Sequence, residues 1–212
     1  MKKSIILFKA FCLVILLSCV AGQSFAQNWY GVRWVDDGDT IVLIDGRRVR
    51  YIGINAPEID HKDKKAEPCG YSAKNYNKNM VLSKKVRLEF DREKHDQYGR
   101  SLAYVFLEDG TFVNEVMIKN GYAYSLYRNP NKKYNKRLFK AQRDAMTAKK
   151  GIWNNWKEEK NRYIGNKGSK RFHLETCTFG EKTGKTNTIY FNKKWDAFWA
   201  GFAPCKLCIE ED

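Results

Sequence analysis

Thr40-Ile41-Val42-Leu43-Ile44-Asp45-Gly46-Arg47-Arg48-Val49-Arg50-Tyr51-Ile52-Gly53-Ile54 is the stretch that decides the architecture. Residues 40–44 are β-branched or apolar, which suits a pleated, half-buried strand. Asp45-Gly46 then supplies the positive φ that a tight hairpin turn requires. Residues 48–54 read as the return strand. Outward from this hairpin, residues 30–107 continue as short strands, with further ones at 85–91 and 101–107 and a second Asp-Gly turn at Asp109-Gly110. A polar, irregular stretch at 60–68 leads into a helix predicted over 71–82. Asn114 is expected to cap a short helix ending at Gly121. Leu138, Ala141, Ala145 and Ala148 recur at helical spacing within 136–149, and Gly151 stands just past the end. Strands first, with helices inserted and appended, predict an α+β domain built on a small OB-type barrel.

The rest of the chain sets bounds on this reading. Its 212 residues allow one ordinary domain plus a smaller one, and 43% hydrophobic and 14% aromatic residues are ample for a packed core. That content excludes a disordered tail protein. The net charge of +15 attracts polyanions, nucleic acid first and anionic membrane or wall polymer second. At the N-terminus, Lys2 and Lys3 precede an apolar run that ends near Val20, and Ser24-Phe25-Ala26 offers small residues for cleavage. Residues 1–26 therefore read as a signal peptide, and the mature chain as secreted or periplasmic. Leu17-Ser18-Cys19 is a weaker lipoprotein signal. Loss of Lys2, Lys3 and Lys9 lowers the charge from +15 to +12.

Three polar segments flank the strands: Asp36-Asp37-Gly38-Asp39-Thr40, Arg50 through Ile54-Asn55-Ala56-Pro57-Glu58, and Asp96-Gln97-Tyr98-Gly99-Arg100. The oxygens of Asp39 and of the Asn55–Ala56 pair suit a hard cation such as Ca²⁺. Glu58 can take a proton from water, and Arg50 and Arg100 offer planar, permanently charged forks that match phosphate oxygens. Singly, each segment reads more simply as a turn or a solvated loop. Their order and separation make the set specific.

From Tyr30 to about Trp156 the chain resembles the staphylococcal nuclease family. The matches are Asp-Gly-Asp-Thr at 37–40, R-x-x-x-I-N-x-P-E at 50–58, D-x-Y-G-R at 96–100 and Gly151-Ile152-Trp153. The resemblance implies an OB-type barrel with three helices and Ca²⁺-dependent endonuclease cleavage of single- and double-stranded DNA and of RNA, leaving 3′-phosphate ends. It implies Asp39, Asn55 and the Ala56 carbonyl as calcium ligands, Glu58 as general base, Arg50 and Arg100 as phosphate clamps, and Tyr127 as a base-stacking residue. Tyr124 is expected to pack in the core. The chain departs from the family's type member at Asn55, where an aspartate stands, and at Gln97, where a phosphate-binding lysine stands. Lys62, Lys64 and Lys65 are candidates to compensate for Gln97. A monomer is expected. The alternative is a catalytically weak nucleic-acid-binding or cell-surface interaction module.

Residues 157–162 read as a linker and 163–212 as a unit too small to hold together easily without a metal or a disulfide. His173-x-x-x-Cys177 and Cys205-x-x-Cys208 supply four donors suited to tetrahedral Zn²⁺. Together with Tyr163-Ile164-Gly165-Asn166-Lys167 and Pro204-Cys205, they resemble the zinc-binding N-terminal domain of the Ada DNA-repair protein. There His173 matches the first, methyl-accepting cysteine by position. The expectation is a small α/β unit with structural zinc and no repair activity. A disulfide among these cysteines is the competing reading, and Cys69 is left without an assigned role.

Overall fold

The computed structural model describes residues 28–61 and 64–209. The signal-peptide and lipoprotein readings, and Lys62, fall outside them. Five strands close a barrel in the order β1 (Trp29–Val35), β2 (Thr40–Leu43), β3 (Arg48–Tyr51), β6 (Ser101–Leu107) and β5 (Lys85–Glu89), with β5 returning to β1. The predicted hairpin pairs Thr40 with Arg50 and Val42 with Arg48. Ile41, Leu43, Val49 and Tyr51 point into the barrel, where they meet Val86, Ala103 and Val105.

Strand β6 is buried along its whole length. One face fills the barrel, and the helix α2 (Val113–Lys119) packs on the strand. A strand hidden on both sides reads as a continuous apolar run, as Leu102 to Leu107 does. The structure corrects the cap expected at Asn114. Phe112 takes the N-cap position, and Asn114 lies buried inside the helix. Its side chain accepts from the Val105 N–H (2.9 Å) and donates to the Ile52 carbonyl (2.9 Å). Asparagine carries both a donor and an acceptor, so it can stitch two buried backbone groups as readily as it can cap a helix.

The first helix, α1 (Gly70–Val81), and α3 (Asn135–Thr147) fall within a residue or two of their predicted bounds. Two short strands, β4 (Ile54–Asn55) and β7 (Tyr124–Ser125), pair antiparallel and set Asn55 opposite Tyr124. Beyond a short 3₁₀ turn, Gly151–Trp153, the tail forms its own four-stranded sheet. Its order is β10 (Thr188–Phe191), β8 (Tyr163–Asn166), β9 (Arg171–Leu174) and β11 (Ala203–Pro204). Two small helices, α4 (Thr178–Glu181) and α5 (Lys194–Trp199), complete it.

The tail's apolar core is continuous with that of the preceding segment. Tyr124, Met146 and Trp153 pack in one cluster with Tyr163, Phe172 and Phe198. Polar bonds cross the same joint. The fully buried Gln142 of α3 accepts from Ser125 N–H and donates to the Phe198 carbonyl, both at 2.6 Å. Arg143 donates to the Trp199 carbonyl.

Candidate active-site corner and metal cluster

Backbone geometry brings the first two polar segments together. Gly38 allows a close approach, because a Cβ there would lie 2.5 Å from the Ala56 Cβ and 2.8 Å from that of Ala73 in α1. Asn77 of α1 donates to the Asp37 carbonyl (3.1 Å) and accepts from the Tyr51 hydroxyl (3.0 Å), which pins the turn to both helix and barrel. The loop bearing Glu58 is gripped similarly. Glu67 accepts the Glu58 N–H through Oε2, and its own N–H donates to the Glu58 carbonyl. Gly70 has no room for a Cβ, which would stand 2.2 Å from the Glu58 carbonyl oxygen.

Asp39 lies at the centre and is 5% exposed. Its Oδ2 accepts from the Ala56 N–H (2.7 Å) and pairs with Arg50 (2.9 Å). The Arg50 guanidinium also donates to Asn55 Oδ1 (3.1 Å) and to the carbonyls of Tyr51 and Ile54. Asn55 therefore turns its oxygen toward Arg50 and its nitrogen toward the Tyr124 hydroxyl (2.9 Å) and the Ala56 carbonyl (3.3 Å). Tyr124 is core-packed as expected, and it also braces Asn55, a role the sequence reading missed.

Burial pushes the Asp39 carboxyl up to about 7. The Arg50 charge and the Ala56 N–H pull it down, while the nearby negative charges of Asp37 and Glu58 push it further up. A buried carboxylate raised by two others calls for more positive charge than Arg50 alone supplies. The donors around it, Asp39, Asn55 Oδ1 and the Ala56 carbonyl, are all oxygens, the set a hard divalent cation takes. The residues present thus fit Ca²⁺. Glu58 is exposed at the rim, free of the buried cluster.

Arg100 stands apart from this group. It pairs with the buried Asp96 at 2.7 Å, and Asp96 also accepts the Tyr98 and Arg100 N–H groups. Burial alone would raise Asp96, but the Arg100 side chain and these N–H bonds hold it below the usual carboxylate range. Asp96 thus fixes the direction of Arg100, and Gln97 beside it is exposed. Tyr127 is partly exposed, with Lys132 Nζ 5.8 Å from its ring centre.

In the tail, ligand atoms of His173, Cys177, Cys205 and Cys208 all lie within 4.8 Å of one another, and all three thiols are unbonded. Cys177 Sγ sits 3.6 Å from His173 Nδ1. Burial would raise the Cys177 thiol, but bonds from Cys208 and from the Gly180 and Phe179 N–H groups hold it below its ordinary value. Burial pushes Cys208 up to about 12, its proton being shared with Cys177. Burial, aided by the Arg171 charge, lowers His173 and keeps the ring neutral, the form that ligates metal. Cys69 is a free, exposed thiol far in sequence from this cluster.

A closed barrel that buries a carboxylate against an arginine, beside an exposed glutamate, gathers oxygen donors, a fixed positive charge and a second carboxylate in one corner. A profile of the family described as "Staphylococcal nuclease homologue" matches residues 48–155, and the chain belongs to that family. It is 41% identical over 139 residues to a thermonuclease of Staphylococcus hyicus, covering 64% of this chain and 82% of that protein. A Staphylococcus intermedius thermonuclease is 42% identical over 127 residues, covering 58% and 75%. Endonuclease YncB of Bacillus subtilis (strain 168) is 38% identical over 137 residues, 62% of each chain. The family match ends at residue 155, ahead of the tail sheet.

Proposed function

We propose that this protein is a calcium-dependent endonuclease that hydrolyses phosphodiester bonds in DNA and RNA, leaving 3′-phosphate ends, and that it works outside the cytoplasm. Family membership supports the nuclease class. The observation that carries the finer reading is the buried Asp39–Arg50–Asn55 cluster with Glu58 exposed at its rim. Calcium, held by Asp39, Asn55 and the Ala56 carbonyl, would neutralise phosphate charge. Glu58 accepts a proton from the attacking water, whose oxygen bonds to phosphorus while the bond to the 5′ oxygen breaks. Arg50 and Arg100 stabilise the charge that grows on the phosphoryl oxygens. Tyr127 offers its partly exposed ring to a base.

The tail, in this reading, is an Ada-like unit holding one structural zinc on His173, Cys177, Cys205 and Cys208. The supporting observation is four converging donors with a neutral imidazole and unbonded thiols. Among the described residues, no helix is long and apolar enough to cross a membrane.

The test is degradation of single-stranded DNA by the mature chain with calcium, with chelator and with Glu58→Gln. Calcium-dependent cleavage that falls about 10²–10⁴-fold in the variant is expected, the range a general base contributes. Tight binding without cleavage at any calcium level would overturn the reading in favour of a binding module.

A further inference from the structure

The tail reaches the catalytic corner with two cations. Lys206 lies between two of the clustered cysteines, and its Nζ donates to Glu58 Oε1 at 2.5 Å. The two side chains are 48% and 51% exposed. An ion pair this open to water is weak, so a competing anion can take the lysine.

Arg171 on β9 is the second cation. Its guanidinium donates to the Pro204 carbonyl (3.1 Å), and among the described residues it forms no ion pair with a carboxylate. A half-buried fork with donors to spare is a place where an anion can be held by two parallel hydrogen bonds. Pro204 and Ile209 of the tail also face Pro57 and Tyr124 across a cleft of roughly 550 Å³. The tail is thus a wall beside the loop that carries Glu58.

We propose that the tail supplies Lys206 and Arg171 as phosphate-binding residues of the nuclease, holding phosphates of the substrate strand next to the scissile one. Lys206 exchanges Glu58 for the strand as it binds, which releases the carboxylate for its work on water. This rests on the nuclease reading above. The strand is favoured over other polyanions because the cations adjoin the corner that would cut it.

The experiment uses the full mature chain with Lys206→Ala, Lys206→Arg and Arg171→Gln. Binding of a labelled oligodeoxythymidylate is followed by fluorescence anisotropy in calcium-free buffer over a salt series, and cleavage is followed with calcium. Lys206→Ala is expected to raise Kd and KM about three- to tenfold with kcat within about twofold, and to flatten the log K against log salt slope by about 0.7, one single-strand phosphate contact. Lys206→Arg should restore both. Arg171→Gln should act in the same direction, with circular dichroism confirming its fold. Unchanged Kd and salt slope in Lys206→Ala would overturn the proposal. So would a rise in kcat at constant KM, which would make the contact an inhibitory latch. If wild type binds without cleaving, the nuclease reading fails while the binding arm still judges the two cations.

Discussion

The barrel corner and the tail cluster both gather side chains able to hold a metal, yet they differ in what keeps them in place. At the corner, every central group already has a protein partner: Asp39 has Arg50 and the Ala56 N–H, and Asn55 has Arg50 and Tyr124. In the tail, the donors face mainly one another, with Cys177 opposite His173 and sharing a proton with Cys208. The corner is prepared before an ion arrives. The cluster is a set of converging donors that an ion would complete. The same molecule would thus have one site where metal serves chemistry and one where it serves folding.

The largest effect expected from this contrast is on stability. Stripping metal from the tail, or making His173→Ala, should lower the unfolding midpoint by about 10 °C or more and open the tail to protease, since structural zinc contributes folding energy directly. Calcium chelation should move the midpoint by no more than about 2 °C while abolishing cleavage. Metal analysis of protein purified without chelator should find about one zinc per chain. A figure under about half would erase the contrast and favour a disulfide.

Next in size is Asp39→Asn in calcium-free buffer. The folded carboxyl protonates at about 7 against 3.8 in the unfolded chain, so the native state holds the extra proton. Its contribution to stability is complete below pH 3.8 and lost as pH rises through about 7. The variant should match wild type in acid and exceed it by about 1–3 kcal/mol at pH 8, with cleavage nearly gone. Denaturant melts at the two pH values check this. Equal stability at pH 8 would mean the corner stores no such strain.

Smaller is Asn55→Asp. It adds a charge beside the cation but sets an oxygen where the amide nitrogen now faces the Ala56 carbonyl at 3.3 Å. Half-saturation by calcium should fall about three- to tenfold, a gain of roughly 1 kcal/mol in the electrostatics of a site with more ligand charge. Titrating cleavage against calcium for both proteins decides it. The smallest effect belongs to Gln97→Lys. On an exposed turn, one more cation should lower KM about twofold at low salt and change nothing at high salt.

Local signals in the sequence made the barrel legible. The Asp45-Gly46 turn fixed one hairpin, and the polar segments beside it held Asp39, Arg50 and Asn55, which the fold brings into contact. Asn114 misled because its side chain serves buried backbone as well as helix ends. Arg100 was readable as a phosphate-binding arginine, but not as one aimed by Asp96. The joint between barrel and tail left no trace that periodicity can carry. Gln142 and Phe198 lie 56 residues apart, and only packing reveals that the glutamine bridges two backbones. Polar residues 157–162 read as a linker, although Trp153 and Tyr163 on either side of it share one apolar cluster.

Lys206 follows Glu58 by 148 residues, and this separation has a temporal side. At roughly 5–20 residues per second of synthesis, about 7–30 s pass between the two leaving the ribosome. Barrel contacts are mostly closer in sequence, and nearer contacts close sooner. The glutamate is therefore expected to find its barrel neighbours before it finds its lysine. A chain that forms its barrel first would pass through a stage with Glu58 in place and Lys206 not yet docked against it.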